Sequence, residues 1–325
     1  MRWGACRAAR RLRVLGAPIL QAIVAIVAAS VLVFLMVPLS PGSPAASVLA
    51  VQGREVTAEA IAAKERELGL DQPLYIQFGR WFGGVVQGDL GRSYRTQQRV
   101  GEMFGARIGP TLLLGTVALA LALSVSVLLA LLAAAWPDRW PDHLARAAML
   151  GIAGIPSFVL GLLVLQYLVV ALGVGTVIAD GTVRTVWLPA ATLAAVAVAG
   201  WSRPLRALLL EATTAPYTVT AAARGSSRPR TLVVHALPNA LVPFLGLVAL
   251  GIGALIGGTA IVEVVYSWPG LGALVVESVK QRDIPVVRAF LLLGTLAYVL
   301  GSLTADLLTR ALDPRQRRPT GVAAR

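Results

Sequence analysis

The sequence predicts an all-α polytopic membrane protein with six transmembrane helices and with both termini in the cytoplasm. Hydrophobic residues make up 57% of the 325 residues, charged residues make up only 14%, and the mean hydropathy is +0.74. A soluble domain cannot bury that much apolar surface, so we expect much of it to face lipid. The apolar residues also fall into runs that are long enough to cross a bilayer as helices.

The first apolar run, residues 14–39, follows a basic N-terminal tail, residues 1–13, as it would in a signal peptide. A cleaved signal has an apolar core of about 7 to 15 residues, whereas a span needs about 20. The run is longer than such a core, so we interpret it as an uncleaved first transmembrane helix.

Five further apolar runs of spanning length follow. They begin near Thr111, Ala147, Val186, Ala240 and Val287 and end near Ala135, Leu172, Ser202, Tyr266 and Arg310, respectively. The sequence therefore predicts an extracytoplasmic insertion over residues 40–109, a transmembrane domain with spans two to six over residues 110–310, and a basic cytoplasmic C-terminal tail over residues 311–325.

The distribution of basic residues predicts the orientation. Of the 29 Lys and Arg residues, 17 fall in four segments that this topology places on one side of the membrane. These segments are the N-terminal tail, the loop 136–146, the stretch 203–239 and the tail after Thr309. Short loops rich in Lys and Arg stay in the cytoplasm. We therefore expect a multi-pass protein of the cell membrane with these four segments inside.

Several function classes fit the composition poorly. The net charge of +13 suggests nucleic acid, yet the arginines lie at the ends of apolar runs and form no basic stripe with interleaved aromatic residues. Cys6 is the single cysteine, His143 and His235 are far apart, and no acidic cluster has the spacing of metal ligands. We expect no nucleic-acid partner, no metal site and no catalytic residues, since no nucleophile with a base is evident.

Ionisable residues are nearly absent from the predicted spans. Glu263 and Asp306 lie toward span ends, where pairing with a neighbour and a functional role both stay open. A proton- or sodium-driven carrier generally needs carboxylates or histidines at membrane depth to bind its coupling ion. If the protein moves a solute uphill, its energy is therefore expected to come from outside this chain.

The insertion is expected to be helical. Thr57 is placed to cap an amphipathic helix that runs to Leu68 and stops at Gly69. Pro73 then opens a second helical stretch through Trp81. The segment 88–93, Gly-Asp-Leu-Gly-Arg-Ser, has glycines where a tight turn needs positive φ, so we expect a structured loop.

The stretch 203–239 contains a predicted helix, bend and helix. Pro216 can open a short helix that continues through Arg224, and Gly225 supplies a left-handed stop. Ser226 or Ser227 is then expected to cap a second helix with Pro229 in its first turn. A short alanine-rich helix with a basic end suits docking into a groove on a partner, and an ordinary connection between spans fits the same pattern.

Two features of the predicted fifth span and its end also suggest roles. Gly253 and Gly257 form a small-xxx-small pattern that favours close helix packing, with or without motion. The segment Trp268-Pro269-Gly270 is expected to form an interfacial turn, with the indole at the level of the lipid headgroups.

The spacing of the cytoplasmic stretch resembles the signature loop of ABC importer permeases of the oligopeptide and dipeptide transport family. In that loop an alanine-rich helix ends in glycine, and nine residues separate the glycine from a second conserved block, here His235-Ala236-Leu237-Pro238. The chain departs from the family pattern at Ala222 and Val219. The residues that match are Tyr217, Thr220, Ala221, Ala223, Gly225, His235, Leu237 and Asn239.

Other blocks extend the resemblance over nearly the whole chain. They occur in the family's order and cover residues 68–74, 88–93, 110–112, 262–272, 281–285 and 312–315. The resemblance implies a permease that works with a second homologous permease, two cytoplasmic ATPase subunits and an extracytoplasmic substrate-binding protein. ATP and Mg would bind to those partners, and no cofactor to this chain.

The resemblance also implies roles for particular residues. The residues expected to contact the ATPases are Tyr217, Thr220, Ala221, Ala223, Arg224, Gly225, His235, Leu237 and Pro238. Those expected to serve helix packing or gating are Gly253, Gly257, Glu263, Pro269, Gly270 and Gly272. The expected solute is a di- or oligopeptide, with a nickel complex or another small solute as the alternative and an ion-coupled secondary transporter as a further one. The substrate-binding residues are not evident from the sequence.

Overall fold

The described part of the protein is helical, as the sequence predicts. The computed structural model describes residues 21, 23–35 and 43–312. Within these residues the structure contains no strand, and one isolated bridge joins Arg92 to Arg99. The basic tail 1–13 and all but the first two residues of the tail 311–325 lie outside the described residues.

Helices follow one another with short connections. In chain order they are α1 (Ile23–Leu35), α2 (Pro44–Val51), α3 (Ala58–Leu68), α4 (Leu74–Val86), α5 (Val100–Ala135), α6 (Trp140–Ala153), α7 (Ser157–Ala171), α8 (Trp187–Thr213), α9 (Pro216–Ala223), α10 (Arg228–Val265), α11 (Leu271–Lys280) and α12 (Ile284–Leu312).

Four of the described helices are long and apolar enough to cross a membrane. They are α5, α8, α10 and the first part of α12, Ile284–Gly301. The bent pair α6 and α7 makes a fifth candidate. The helix α1 is apolar but shorter than a span, and the rest of the predicted first span, residues 14–39, lies outside the described residues.

The predicted third span is not a straight helix. Helices α6 and α7 meet at an angle of 105°, and the break between them contains Gly154 and Pro156. Proline lacks the N–H that would continue the helical ladder, and it disfavours helical geometry in the residue before it. The apolar run therefore predicted an apolar helical segment here, but it did not predict the bend between α6 and α7.

The second helix predicted after Gly225 is not a separate element. Helix α10 begins at Arg228 and continues to Val265, with a π-helical segment over Thr231–Ala236. Ser227 stands at the N-cap position, but its side chain accepts no capping hydrogen bond, so that part of the prediction is wrong. The fifth span therefore starts within the connecting stretch, without a break.

The insertion follows its local signals. The hydroxyl of Thr57 accepts a hydrogen bond from the Ala60 N–H, and Gly69 ends α3 with φ +68°. Helix α4 follows Pro73 and extends past Trp81 to Val86. Gly88 and Gly91 have φ of +83° and +85°, as the predicted turn requires. Helix α2 has no counterpart in the sequence prediction.

The described chain divides into two compact units, one with residues from 1–107 and 274–303 and the other with residues from 108–273 and 304–325. The core of the second unit is the packed pair α8 and α10. A Cβ at Gly251 would lie 2.6 Å from the indole Nε1 of Trp201, and a Cβ at Gly258 would lie 3.0 Å from Leu193. These two glycines therefore let α8 approach the backbone of α10.

The glycines that the sequence pattern singled out lie elsewhere on α10. Gly257 has open space where a Cβ would be, and Gly253 is half-buried. Within this chain the close approach uses Gly251 and Gly258, which are seven residues apart and lie on one face of the helix. A role for Gly253 and Gly257 in helix packing or gating stays a prediction.

Replacing Gly251 with alanine is expected to lower the free energy of unfolding by about 1 to 3 kcal/mol, because the added methyl group overpacks against Trp201. Gly257→Ala is the matched control, since it makes the same change on the same helix in open space. Thermal unfolding of the purified chain in detergent measures both variants. Equal melting temperatures for the two would contradict the close packing of α8 on α10.

Candidate functional site

Helix α9 is anchored to the end of α8 by one buried side chain. Thr218 is 1% exposed. Its hydroxyl lies 2.8 Å from the carbonyl oxygen of Ala212, 3.0 Å from that of Thr213 and 2.7 Å from that of Ala215. The last carbonyls of a helix lack partners within it, and this hydroxyl can donate its one hydrogen to Ala212 or Thr213 at the end of α8 or to Ala215 beyond it. The position of α9 is thus tied to the C-terminal end of α8.

A left-handed turn ends α9, as predicted. The N–H of Gly225 donates to the carbonyl of Ala222 at 2.9 Å, and the N–H of Ser226 donates to that of Ala221 at 3.1 Å. This pair of bonds is the Schellman arrangement, which needs positive φ at the glycine. Gly225 has φ +88°, and a Cβ there would meet open space. The turn directs the chain from α9 into α10.

The predicted contact residues fall into two groups by exposure. Most of those on α9 and its turn are exposed, and Ala221 is half-buried. On α10, His235 and Leu237 are half-buried and Pro238 is exposed. Helix α9 packs against the π-helical segment that contains His235. The structure thus brings the α9 residues together on one accessible surface, while His235 and Leu237 are less exposed.

This surface is basic. Arg224, Arg228 and Arg230 are exposed, and none of them forms an ion pair with a carboxylate within the described residues. The exposed Tyr217 and Val219 add apolar area beside these charges. The arrangement can therefore contact a groove that combines apolar and acidic groups.

A buried ion pair near this surface was not predicted. The carboxylate of Asp142 on α6 is fully buried and accepts hydrogen bonds from the guanidinium of Arg206 on α8, with Nε at 2.7 Å. The Asp138 N–H donates to the same carboxylate at 2.9 Å. The charges were visible in the sequence, but their pairing across 64 residues was not. The pair fastens α6 to α8.

Glu263 lies at the other end of α10 and is fully buried. Its carboxylate accepts a hydrogen bond from the Thr111 hydroxyl at 2.8 Å and one from the Ala273 N–H at 2.9 Å. The Leu271 N–H in turn donates to the Thr111 oxygen at 2.8 Å. Negative charge is favourable at the N-terminus of a helix, here α11. Glu263 therefore pairs with neighbours, which is one of the two roles that the sequence left open for it.

Close approach around Glu263 requires glycine at two positions. A Cβ at Gly270 would overlap the Glu263 carboxyl group, and a Cβ at Gly272 would overlap Ala260. Trp268 is fully buried, and its indole N–H donates to the carbonyl of Pro110 at 3.1 Å. The indole is thus packed inside the chain, and its predicted location at headgroup level stays a prediction. A gating role for Pro269, Gly270 and Gly272 stays a prediction.

Comparisons with known proteins cover most of the chain. The family model described as "Binding-protein-dependent transport system inner membrane component" matches residues 126–318, and the one described as "Binding-prot-dependent transport system membrane comp, N-term" matches residues 11–115. The glutathione transport system permease protein GsiC of Escherichia coli O6:H1 is 39% identical over 289 residues, which are 89% of this chain and 93% of that protein. GsiC of Escherichia coli K12 is 38% identical over the same shares.

A solved structure titled "Crystal structure of an amino acid ABC transporter with histidines" covers 66% of this chain and 94% of its own chain, with 18% identity and a TM-score of 0.49. The family assignment does not depend on that likeness. The assignment rests on two family models that match neighbouring parts of the chain and on relatives of nearly equal length. The chain belongs to the binding-protein-dependent transport family, as a membrane-spanning permease of a bacterial ABC importer of the peptide type.

Proposed function

We propose that this chain forms the translocation path together with a second homologous permease and is driven by two cytoplasmic ATPase subunits that contact α9. The observation that carries the proposal is the geometry of α9, a short exposed helix that has a buried anchor at Thr218 and is followed by the exposed Arg224, Arg228 and Arg230. ATP and Mg would bind in the ATPases. A separate extracytoplasmic binding protein would deliver the solute, and no residue of this chain would carry out bond chemistry.

The contacts around α9 support a mechanical role. On one side α9 is anchored to α8 through Thr218, and on the other it continues through the Gly225 turn into α10. Helices α8 and α10 are in close contact at Gly251, and Asp142 with Arg206 joins α6 to α8. A displacement of α9 by the ATPases would therefore move these helices together. Rigid movement of such a group can open the path alternately to the two sides.

The six-span topology with both termini inside belongs to the same proposal. Helix α1, α5, the α6 and α7 pair, α8, α10 and α12 would be the six crossings, with the sharp bend lying within the third. The arginines of the α9 surface support a cytoplasmic location for that end. Residues 40–109 would then be extracytoplasmic.

A peptide-like solute fits the proposal best. The relatives are named as glutathione permeases, and glutathione is a short peptide derivative. A nickel complex or another small solute is the alternative within the family. An ion-coupled carrier is disfavoured because both carboxylate oxygens of Glu263 are held in a structural network with Thr111 and Ala273.

Gly225→Asp is expected to insert normally and to lower both ATPase binding and uptake. Aspartate, like asparagine, is among the residues that adopt this left-handed conformation, so the backbone cost is small and the added carboxylate, which would repel an acidic groove, is the cause of the loss. Co-purification of the ATPases and labelled-solute uptake measure the effect. Gly225→Asn is the control, because asparagine tolerates the left-handed conformation and adds no charge. Unchanged uptake by the Asp variant at normal expression would refute the α9 contact.

Reporter fusions test the topology. A cytoplasmic reporter fused after Arg315 is expected to be active, because the basic tail stays inside. A reporter that works only outside is expected to be active when it is fused near Gly88. The reverse pattern of activities would overturn the proposed orientation.

Competition uptake tests the solute class. In a strain that lacks its own peptide importers, the complete transporter is expected to import labelled glutathione, and unlabelled short peptides are expected to compete with it. Nickel chelates are expected not to compete. Competition by nickel chelates alone would reassign the protein to the metal-complex importers of the family.

A further inference from the structure

We propose that Asp283 and Arg288 are positioning residues that fasten the extracytoplasmic segment to the last span, α12, so that the two move as one body during transport. The inference rests on the proposed import function and orientation. It concerns contacts within the first compact unit, which contains α1 to α4, the loop 87–99 and the start of α12. We call the two contacts together the clasp.

Asp283 forms the first half of the clasp. It lies in the turn before α12 and is 4% exposed. One carboxylate oxygen accepts a hydrogen bond from the hydroxyl of Ser93, and the other accepts one from the Tyr94 N–H at 2.9 Å. Ser93 is fully buried, and its oxygen also accepts the Thr96 N–H at 3.0 Å. The carboxylate thus binds a turn of the loop 87–99 that the hydrogen bond between Ser93 and Thr96 stabilises.

Arg288 forms the second half, one turn further along α12. It is 8% exposed, and its guanidinium carbon lies 4.3 Å from the ring centre of Phe34 on α1 and 5.9 Å from that of Trp81 on α4. One terminal N–H donates weakly, at 3.4 Å, to the carbonyl of Phe34 near the C-terminal end of α1. Within the described residues no carboxylate forms an ion pair with Arg288. Aromatic faces therefore provide much of its stabilisation.

An aromatic cluster extends the second half into α4. Phe34 packs edge-on against Phe78 at 5.4 Å between ring centres, and Phe78 stacks with Phe82 at 5.5 Å. Tyr94 links the two halves, because it lies close to both Asp283 and Arg288. Burial raises the pKa of its phenol above the ordinary value, and the nearby charge of Arg288 opposes that effect.

The use of buried charge argues for a role beyond packing. Apolar residues of similar size would fill these positions without the cost of removing an ion from water. Here each charge binds a segment that is distant in sequence, 190 residues away for Ser93 and 254 for Phe34. Directional contacts of this kind transmit a movement of α12 to the loop and to α4.

A cysteine pair tests whether the clasp stays closed. A Cβ at Gly91 would lie 3.9 Å from the Cβ of Pro285, which is within the range of a disulfide. The variant Gly91→Cys with Pro285→Cys is assembled with its ATPases and binding protein in liposomes and oxidised, at rest and after trapping with ATP and vanadate. We expect the same cross-linking yield in both states, and equal uptake of labelled glutathione before and after reduction of the disulfide.

A lower yield in one state, or uptake that returns only on reduction, would show that the clasp opens and would overturn the proposal. The two single-cysteine variants control for strain at Gly91. If the unmodified transporter imports no glutathione, the proposed solute fails, while the comparison of yields between the two states still tests the clasp.

Substitutions test the charge of Arg288 in the cysteine-pair background. Arg288→Met keeps the length of the side chain and removes its charge, and we expect a severalfold lower cross-linking yield and a lower maximal uptake rate with unchanged half-saturation. Arg288→Lys is expected to recover part of both, because it restores the charge without the planar group. Lys280→Met removes an exposed charge nearby and is the control. If Arg288→Met behaves as Lys280→Met does in both measurements, the proposal is wrong.

Discussion

The close approach of α8 and α10 is the contact on which the rest of the second unit depends. In lipid there is no hydrophobic force between apolar helices, so their association relies on van der Waals contact and on small residues that allow it. Gly251 and Gly258 are such small residues, and they let Trp201 and Leu193 lie against the α10 backbone. Helix α9 joins these two helices, and its place is therefore set by their packing as well as by its own sequence.

Buried polar groups hold the ends of this helix pair. Asp142 is held by Arg206 near the α9 end, and Glu263 is held by Thr111 and the start of α11 at the other. In a low-dielectric interior an unpaired carboxylate would be costly, and here each has at least two donors. Both carboxylates therefore act as fasteners between helices.

Local signals predicted α9 well. Pro216 at its start and Gly225 at its end determine its length through backbone geometry, which depends on few neighbouring residues. The anchor at Thr218 could not be predicted, because its hydroxyl reaches the carbonyl groups at the end of α8 only when α9 folds back on α8. The same limit applies to the small-residue face of α10, where the sequence pattern pointed to Gly253 and Gly257 and the packing uses Gly251 and Gly258.

The sequence by itself determined the membrane class, the helical content, the limits of α3 and α9 and the family, since these depend on apolar length, turn residues and motif order. Only the tertiary structure decided which distant residues meet, as with Ser93 and Asp283 or Asp142 and Arg206. It also decided that the indole of Trp268 is buried and that the third apolar run bends between α6 and α7. The physical reason is that composition and local pattern record what each segment prefers alone, whereas burial and pairing depend on which surfaces the packed helices bring together.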